Sequence, residues 1–190
     1  LAVHIVSQGG EKWIFLCKSG FKRELDPQNR SWCRKEGLRV FRGVNVINLD
    51  PKGRLAMPSR YRDQLVSQFG GRLVATIDPM AKCLLLYPID VWEEIQKKIE
   101  ALSSFNADTR KFQRMMIGYA TDVELDSSGR ILLSQVLRNH AELDKHVALV
   151  GQGKKLELWS EENWSEQTEL WITQTSAGGE LPAELQSLSL

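Results

Sequence analysis

The chain writes one short phrase twice: residues 49–54 read LDPKGR and residues 125–130 read LDSSGR. The Asp, Gly and Arg return in register while the residues between them change. The match runs further. Asp50, Gly53, Arg54 and Arg62 stand at one constant offset from Asp126, Gly129, Arg130 and Arg138. With a small deletion, Leu84, Leu86, Tyr87 and Trp92 correspond to Leu156, Leu158, Trp159 and Trp164. This is a tandem duplication of a β-β-α-β-β-α unit. One half has too few strands and too small an apolar face to stand alone. The expectation is two halves sharing one closed core with pseudo-twofold symmetry.

Local chemistry places the elements. Residues 50–53 read as a type I turn: Asp accepts backbone N–H bonds, Pro presets φ, and Gly closes the turn. The flanking strands are VFRGVNVINLD, with Val44, Val46 and Leu49 as its apolar side, and RLAMP. A helix follows with Tyr61, Leu65 and Phe69 on one face, stopped by Gly70 and Gly71. RLVATID and KCLLLYP read as strands. Asp90 is the expected N-cap of a helix whose apolar stripe is Ile89, Trp92, Ile95, Ile99 and Leu102. A further helix buries Phe112, Met115 and Met116. The pattern then repeats: YATDVELD, a turn over residues 126–129, RILL, a short helix capped by Ser134 with Val136, Leu137 and Leu143, strands HVALVG and KLELWS, and a helix EENWSEQTELWI.

Residues 1–39 differ from the rest. They have no sustained period, and carry eight Lys and Arg against four acids. Three readings stand: a disordered tail, a basic arm for nucleic acid, or an untranslated stretch with the natural start at Val40. The third rests on Lys35-Glu36-Gly37, whose codons can form a ribosome-binding site, and on GTG, a Val codon that can start translation.

Charge is polarised in a chain whose formal net charge is only +1. Residues 40–72 hold six basic side chains against two acids, whereas residues 157–190 hold seven Glu and no Lys or Arg. That suits a protein that meets a polyanion with one face. No apolar run approaches a membrane span, and there is no secretory leader, so the expected location is the cytoplasm. Cys17, Cys33 and Cys83 form no disulfide framework, and no Cys or His pair has zinc-ligand spacing. No metal, cofactor or catalytic residue is expected: glycine-rich phosphate loops, G-x-S-x-G and H-E-x-x-H are all missing. Cys83, in an apolar run, reads as a core thiol, and Trp92 and Trp164 as core residues. Arg54 and Arg130 each leave a tight turn at a fixed place. They can reach phosphates or guanine edges, or they can pair with the turn Asp. Duplication copies either role, so both readings stay open at this point.

The blocks FRG, LDPKGRLAMPSRYRDQL, CLLLYP, LDSSGRILL and VALVGQGKKLELW together resemble the MraZ family of bacterial transcriptional regulators from Val40 onward. The resemblance implies an α+β, mainly β fold: a double AbrB-like swapped-hairpin β-barrel formed by two internal repeats, with flanking helices. It places repeat 1 at 44–88, linking helices at 89–117, repeat 2 at 119–160 and an acidic C-terminal helix and tail at 161–190. It implies binding to promoter DNA with short direct repeats, repression of the protein's own operon in the division and cell-wall gene cluster, nucleoid association, and a ring-shaped homo-oligomer. The DNA-binding residues it points to are Arg54 above all, with Lys52, Arg130 and Arg42. The motif residues Asp50, Gly53, Asp126 and Gly129 form the turns. Ser127 and Ser128 replace the Pro-Lys pair in the second copy, so the first repeat is expected to dominate. An oligomeric protein–protein scaffold is the alternative. An antitoxin is disfavoured, because the barrel half is repeated and no long toxin-wrapping tail follows.

Overall fold

The computed structural model describes residues 40–176 (side chains for 40–174) and, before them, the backbone of four strands. The chain divides into two units, residues 1–39 and 40–190. In the first, β1 (Ala2–Ser7), β2 (Gly10–Leu16), β3 (Lys22–Leu25) and β4 (Trp32–Cys33) form an antiparallel meander in that order. The three readings of this stretch, a disordered tail, a basic arm and an untranslated leader, include no strands, because its sequence has no sustained period.

In the second unit the duplication is visible element by element. The first copy runs β5 (Phe41–Asn48), β6 (Arg54–Ala56), α1 (Ser59–Phe69), β7 (Arg72–Ile77), β8 (Cys83–Pro88), α2 (Ile89–Glu100). After α3 (Ala107–Met116), the second runs β9 (Thr121–Glu124), β10 (Arg130–Leu132), α4 (Gln135–His140), β11 (His146–Gly153), β12 (Lys155–Ser160), α5 (Glu161–Ser176).

The copies exchange strands. A six-stranded antiparallel sheet has the order β5-β11-β12-β8-β7-β9, and β6 pairs separately with β10. So β5 of the first copy lies on β11 of the second, β9 of the second lies on β7 of the first, and β12 and β8 meet at the centre. The fold is mainly β with flanking helices, as expected, but the large sheet stays open: β5 and β9 each have a single strand neighbour in it.

Both faces of the central strands are covered, so β7, β8 and β12 read as nearly unbroken apolar runs. On one face Leu73, Ile77, Leu84, Leu149 and Leu158 pack with Tyr61, Leu65 and Phe69 of α1, Leu137 of α4, and Leu55 and Ile131 of the β6–β10 ribbon. On the other, Val74, Leu85, Cys83 and Trp159 lie beneath Trp92, Ile99 and Met116. Each such side chain contributes about 1.5–3 kcal/mol on burial. Cys83 is fully buried and its thiol pKa is pushed far up by desolvation, as befits a core thiol.

Several expectations change. Of the residues expected on the apolar side of this strand, Leu49, just past the end of β5, is buried, but Val44 and Val46 are 49% and 55% exposed, and Phe41 is buried in their place. Val44 and Val46 stand on the edge strand opposite Val150 and Ala148, on the other face of β5 from Phe41, and so remain in water. Asp90 is not the α2 cap: Pro88 holds that position and Asp90 sits in the first turn, where the helix dipole still favours it. Leu102, Phe112 and Val136 are largely exposed, and in α3 Met116 alone is fully buried. Asn106, not foreseen as a cap, accepts the Asp108 and Thr109 N–H groups at the start of α3.

Candidate nucleic-acid interface

The two repeated phrases form two nearly identical turns. In the first, the Gly53 N–H donates to the Asp50 carbonyl at 2.9 Å, closing the turn. Asp50 Oδ1 accepts the N–H groups of Lys52 (2.9 Å) and Arg54 (2.8 Å), and Oδ2 accepts Arg54 Nε at 2.6 Å. In the second, Asp126 Oδ1 accepts from Ser128 (2.8 Å) and Arg130 (2.9 Å), and Oδ2 accepts Arg130 Nε at 2.9 Å. Both carboxyl groups are held below the usual aspartate range, chiefly by the backbone N–H of the Arg and then by its side chain. Gly53 and Gly129 have φ of 85° and 72°, the left-handed region that favours glycine.

Each turn is completed by the other copy. The Leu133 N–H donates to the Gly53 carbonyl at 2.8 Å, and the Met57 N–H to the Gly129 carbonyl at 3.0 Å. Arg138 of the second copy lies against Gly53, and Arg62 of the first lies against Gly129, where a Cβ would collide with the guanidinium or its stem. Glycine is therefore required twice over, for φ and for this close approach. Arg62 and Arg138 were visible in the sequence as a matched pair at constant offset, with no role attached.

The register β6–β10 sets the geometry of the site. Leu55 faces Ile131 and both are buried, so their neighbours on the ribbon point the opposite way. Arg54 lies opposite Leu132, and Arg130 opposite Ala56. Both motif arginines thus stand on one outward face, one residue pair to either side of the pseudo-twofold. Their side chains are 38% and 37% exposed. In the first turn the Asp brace uses Nε of Arg54, and in the second it takes both Nε and Nη2 of Arg130, each 2.9 Å from Asp126 Oδ2. Bracing and reaching are compatible: the ion pair fixes the side chain, and a fixed guanidinium loses less entropy on meeting a ligand.

Lys52 is exposed at the tip of the first turn, beside Arg54. Arg42 is not brought to this cluster. It lies on β5 eight residues before Asp50, about 25 Å along an extended strand. Its carbonyl accepts the Tyr61 hydroxyl at 2.7 Å. Among the described residues no group of three His, Cys, Asp or Glu is placed to hold a metal ion, and no helix is long and apolar enough to cross a membrane.

The residues of both copies match a known protein family. Its model, described as "MraZ protein, putative antitoxin-like", matches residues 40–115 and again 116–177. A Transcriptional regulator MraZ of Thiobacillus denitrificans is 49% identical over 151 residues, 80% of this chain and all of the relative. Proteins of that name from Coxiella burnetii and Halorhodospira halophila are 50% and 47% identical over 152 residues, again 80% of this chain and their own full length. The chain belongs to the MraZ family.

Proposed function

We propose that the chain is a sequence-specific DNA-binding transcriptional regulator, not an enzyme, acting in the cytoplasm at the nucleoid. It represses its own operon in the division and cell-wall gene cluster by binding short direct repeats in the promoter as a ring-shaped homo-oligomer. Arg54 is the leading contact, Lys52 and Arg130 assist it, and Arg42 adds an outlying cation. The observation that carries this reading is the placement of two braced guanidinium groups on one outward face of a two-stranded ribbon, an element that fits the DNA major groove. The relatives' name supports the regulatory role.

The strand exchange between copies supports a swapped-hairpin description, with repeats at 44–88 and 119–160 and residues 1–39 as an extension outside them; the family match begins at residue 40. Direct repeats suit a head-to-tail ring, because each protomer presents the same ribbon at regular intervals. The decisive experiment is a gel shift of the gene's upstream region. Arg54→Ala should lose retention of the fragment while sedimentation shows the oligomer intact, and normal binding by that variant would remove the assigned role. One observation favours a second reading, a protein–protein scaffold: both arginines do brace their turns. That reading expects no shift of the upstream fragment by the wild type in excess nonspecific DNA.

A further inference from the structure

The outward face of the β6–β10 ribbon carries two apolar side chains between its arginines. Leu132 lies directly opposite Arg54, and Ala56 directly opposite Arg130. The two are repeat counterparts, so the duplication has an alanine and a leucine at the same place. Leu132 is 58% exposed, although its neighbours Ile131 and Leu133 are both 1% exposed and the core lies immediately beneath. A single exposed leucine is ordinary on a protein surface. This one lies on the face that carries both motif arginines, directly opposite Arg54 and two residues along β10 from Arg130.

The chemistry of the major groove gives that arrangement a use. Guanine offers N7 and O6 to an arginine fork, and thymine offers a C5-methyl group to an aliphatic side chain. Cross-strand neighbours on a ribbon stand about 4.5–5.5 Å apart at Cβ, and base steps rise about 3.4 Å, so opposite side chains meet adjacent or next-adjacent steps. We infer that Leu132, and to a smaller extent Ala56, are specificity-determining residues that contact thymine methyl groups beside the bases met by Arg54 and Arg130. This inference rests on the DNA-binding reading above and adds to it a preference for thymine at fixed positions. It also makes the two halves of the ribbon unequal, since leucine reaches a methyl that alanine leaves farther away.

The test replaces thymine by uracil, one position at a time, in a fluorescently labelled upstream duplex. Uracil removes the methyl and keeps the base pair. The full chain is titrated by anisotropy. Wild type should weaken about fourfold per contacted methyl. Leu132→Ala should bind the thymine duplex more weakly by a similar factor and be indifferent to uracil at that position. The inference is overturned if no replacement changes wild-type affinity, or if wild type and Leu132→Ala lose the same factor at every position. It is equally overturned if Leu132→Ala shifts the sedimenting oligomer with no methyl dependence, which would make this face a contact between copies. Arg54→Ala runs alongside: binding by that variant equal to wild type removes the DNA reading itself, whatever the uracil series shows.

Discussion

The two repeats differ least where they hold each other and most where they face outward. Both Asp side chains accept the same three N–H groups, with Asp126 also 2.9 Å from Arg130 Nη2, both Gly residues take positive φ, and each turn receives the other copy's arginine. Outside that frame they diverge. Pro51 and Lys52 become Ser127 and Ser128, and Ala56 becomes Leu132. Pro58 gives α1 no side-chain cap, whereas Ser134 Oγ accepts the Leu137 N–H at 3.4 Å. The helices end differently too: α1 stops at Gly70 in the left-handed conformation, and just beyond α4 Glu142 takes φ of 53° without being glycine. The symmetric part makes the fold; the asymmetric part sets what each copy presents.

The frame yields the largest expected effect. Leu55 and Ile131 face each other at the centre of the ribbon and are 0% and 1% exposed. Leu55→Ala and Ile131→Ala should each cost about 2–5 kcal/mol, and by similar amounts, because each empties the same shared space. Urea unfolding measures both. A large loss for one and a small loss for the other would break the symmetry of the core.

The outward part yields a binding effect. Ser128 stands where the first copy has Lys52. Ser128→Lys should strengthen promoter binding and steepen the plot of log affinity against log salt by about 0.9 for each phosphate gained, and Lys52→Ser should flatten it by as much. Anisotropy titrations across a salt series decide it. If Ser128→Lys leaves the slope unchanged while Lys52→Ser flattens it, the second turn does not approach the backbone, and the first repeat alone meets DNA.

Much of this was legible in the sequence because the turn chemistry is local. Asp50, Gly53 and Arg54 lie within five residues, and their bonds follow from residue type alone. The strands of the central sheet were legible as apolar runs. The side of β5 was not: Val44 and Val46 look like a buried face, and only the position of β5 at the sheet edge leaves them exposed. The roles of Arg62 and Arg138 were also hidden, since each acts across the pseudo-twofold on a glycine far away in the chain. Which residues share the ribbon's outward face depends on the β6–β10 register, and a single sequence does not state a register between segments so far apart.

A smaller effect separates the two helix ends. Nothing lies within 4 Å of a Cβ built on Gly70, so Gly70→Ala should cost only the left-handed backbone, about 1–2 kcal/mol. Glu142→Gly relieves strain of that kind, but it raises unfolded-chain entropy and removes the exposed ion pair to Lys82 at 2.6 Å and the hydrogen bond that Asn163 Nδ2 donates at 3.5 Å. These opposing effects should nearly cancel, leaving the melting temperature close to that of wild type. A thermal melt of Glu142→Gly well below wild type would show that the Lys82 clasp matters more than the backbone.

The smallest effect returns to the two aspartates. Each is held below the ordinary value near 3.8 by its Arg neighbour and by backbone N–H groups. A carboxyl whose folded pKa is depressed contributes its full stabilisation above the unfolded value, and loses it as pH falls through the folded one. The window therefore opens near 3.8 and extends downward. Asp50→Asn and Asp126→Asn should each lower the melting temperature at neutral pH, and the gap to wild type should shrink as the solution is acidified through that window. Because the two turns share one bonding pattern, the two gaps should be alike in size and close together. Both side chains are well exposed, so solvent screening keeps the gaps small next to the loss expected from Leu55→Ala. A gap that persists unchanged in acid would mean that the asparagine variants fail for geometric reasons and not for loss of charge. A gap at one turn only would mean that the exchanged arginine, not the aspartate, holds the other turn shut.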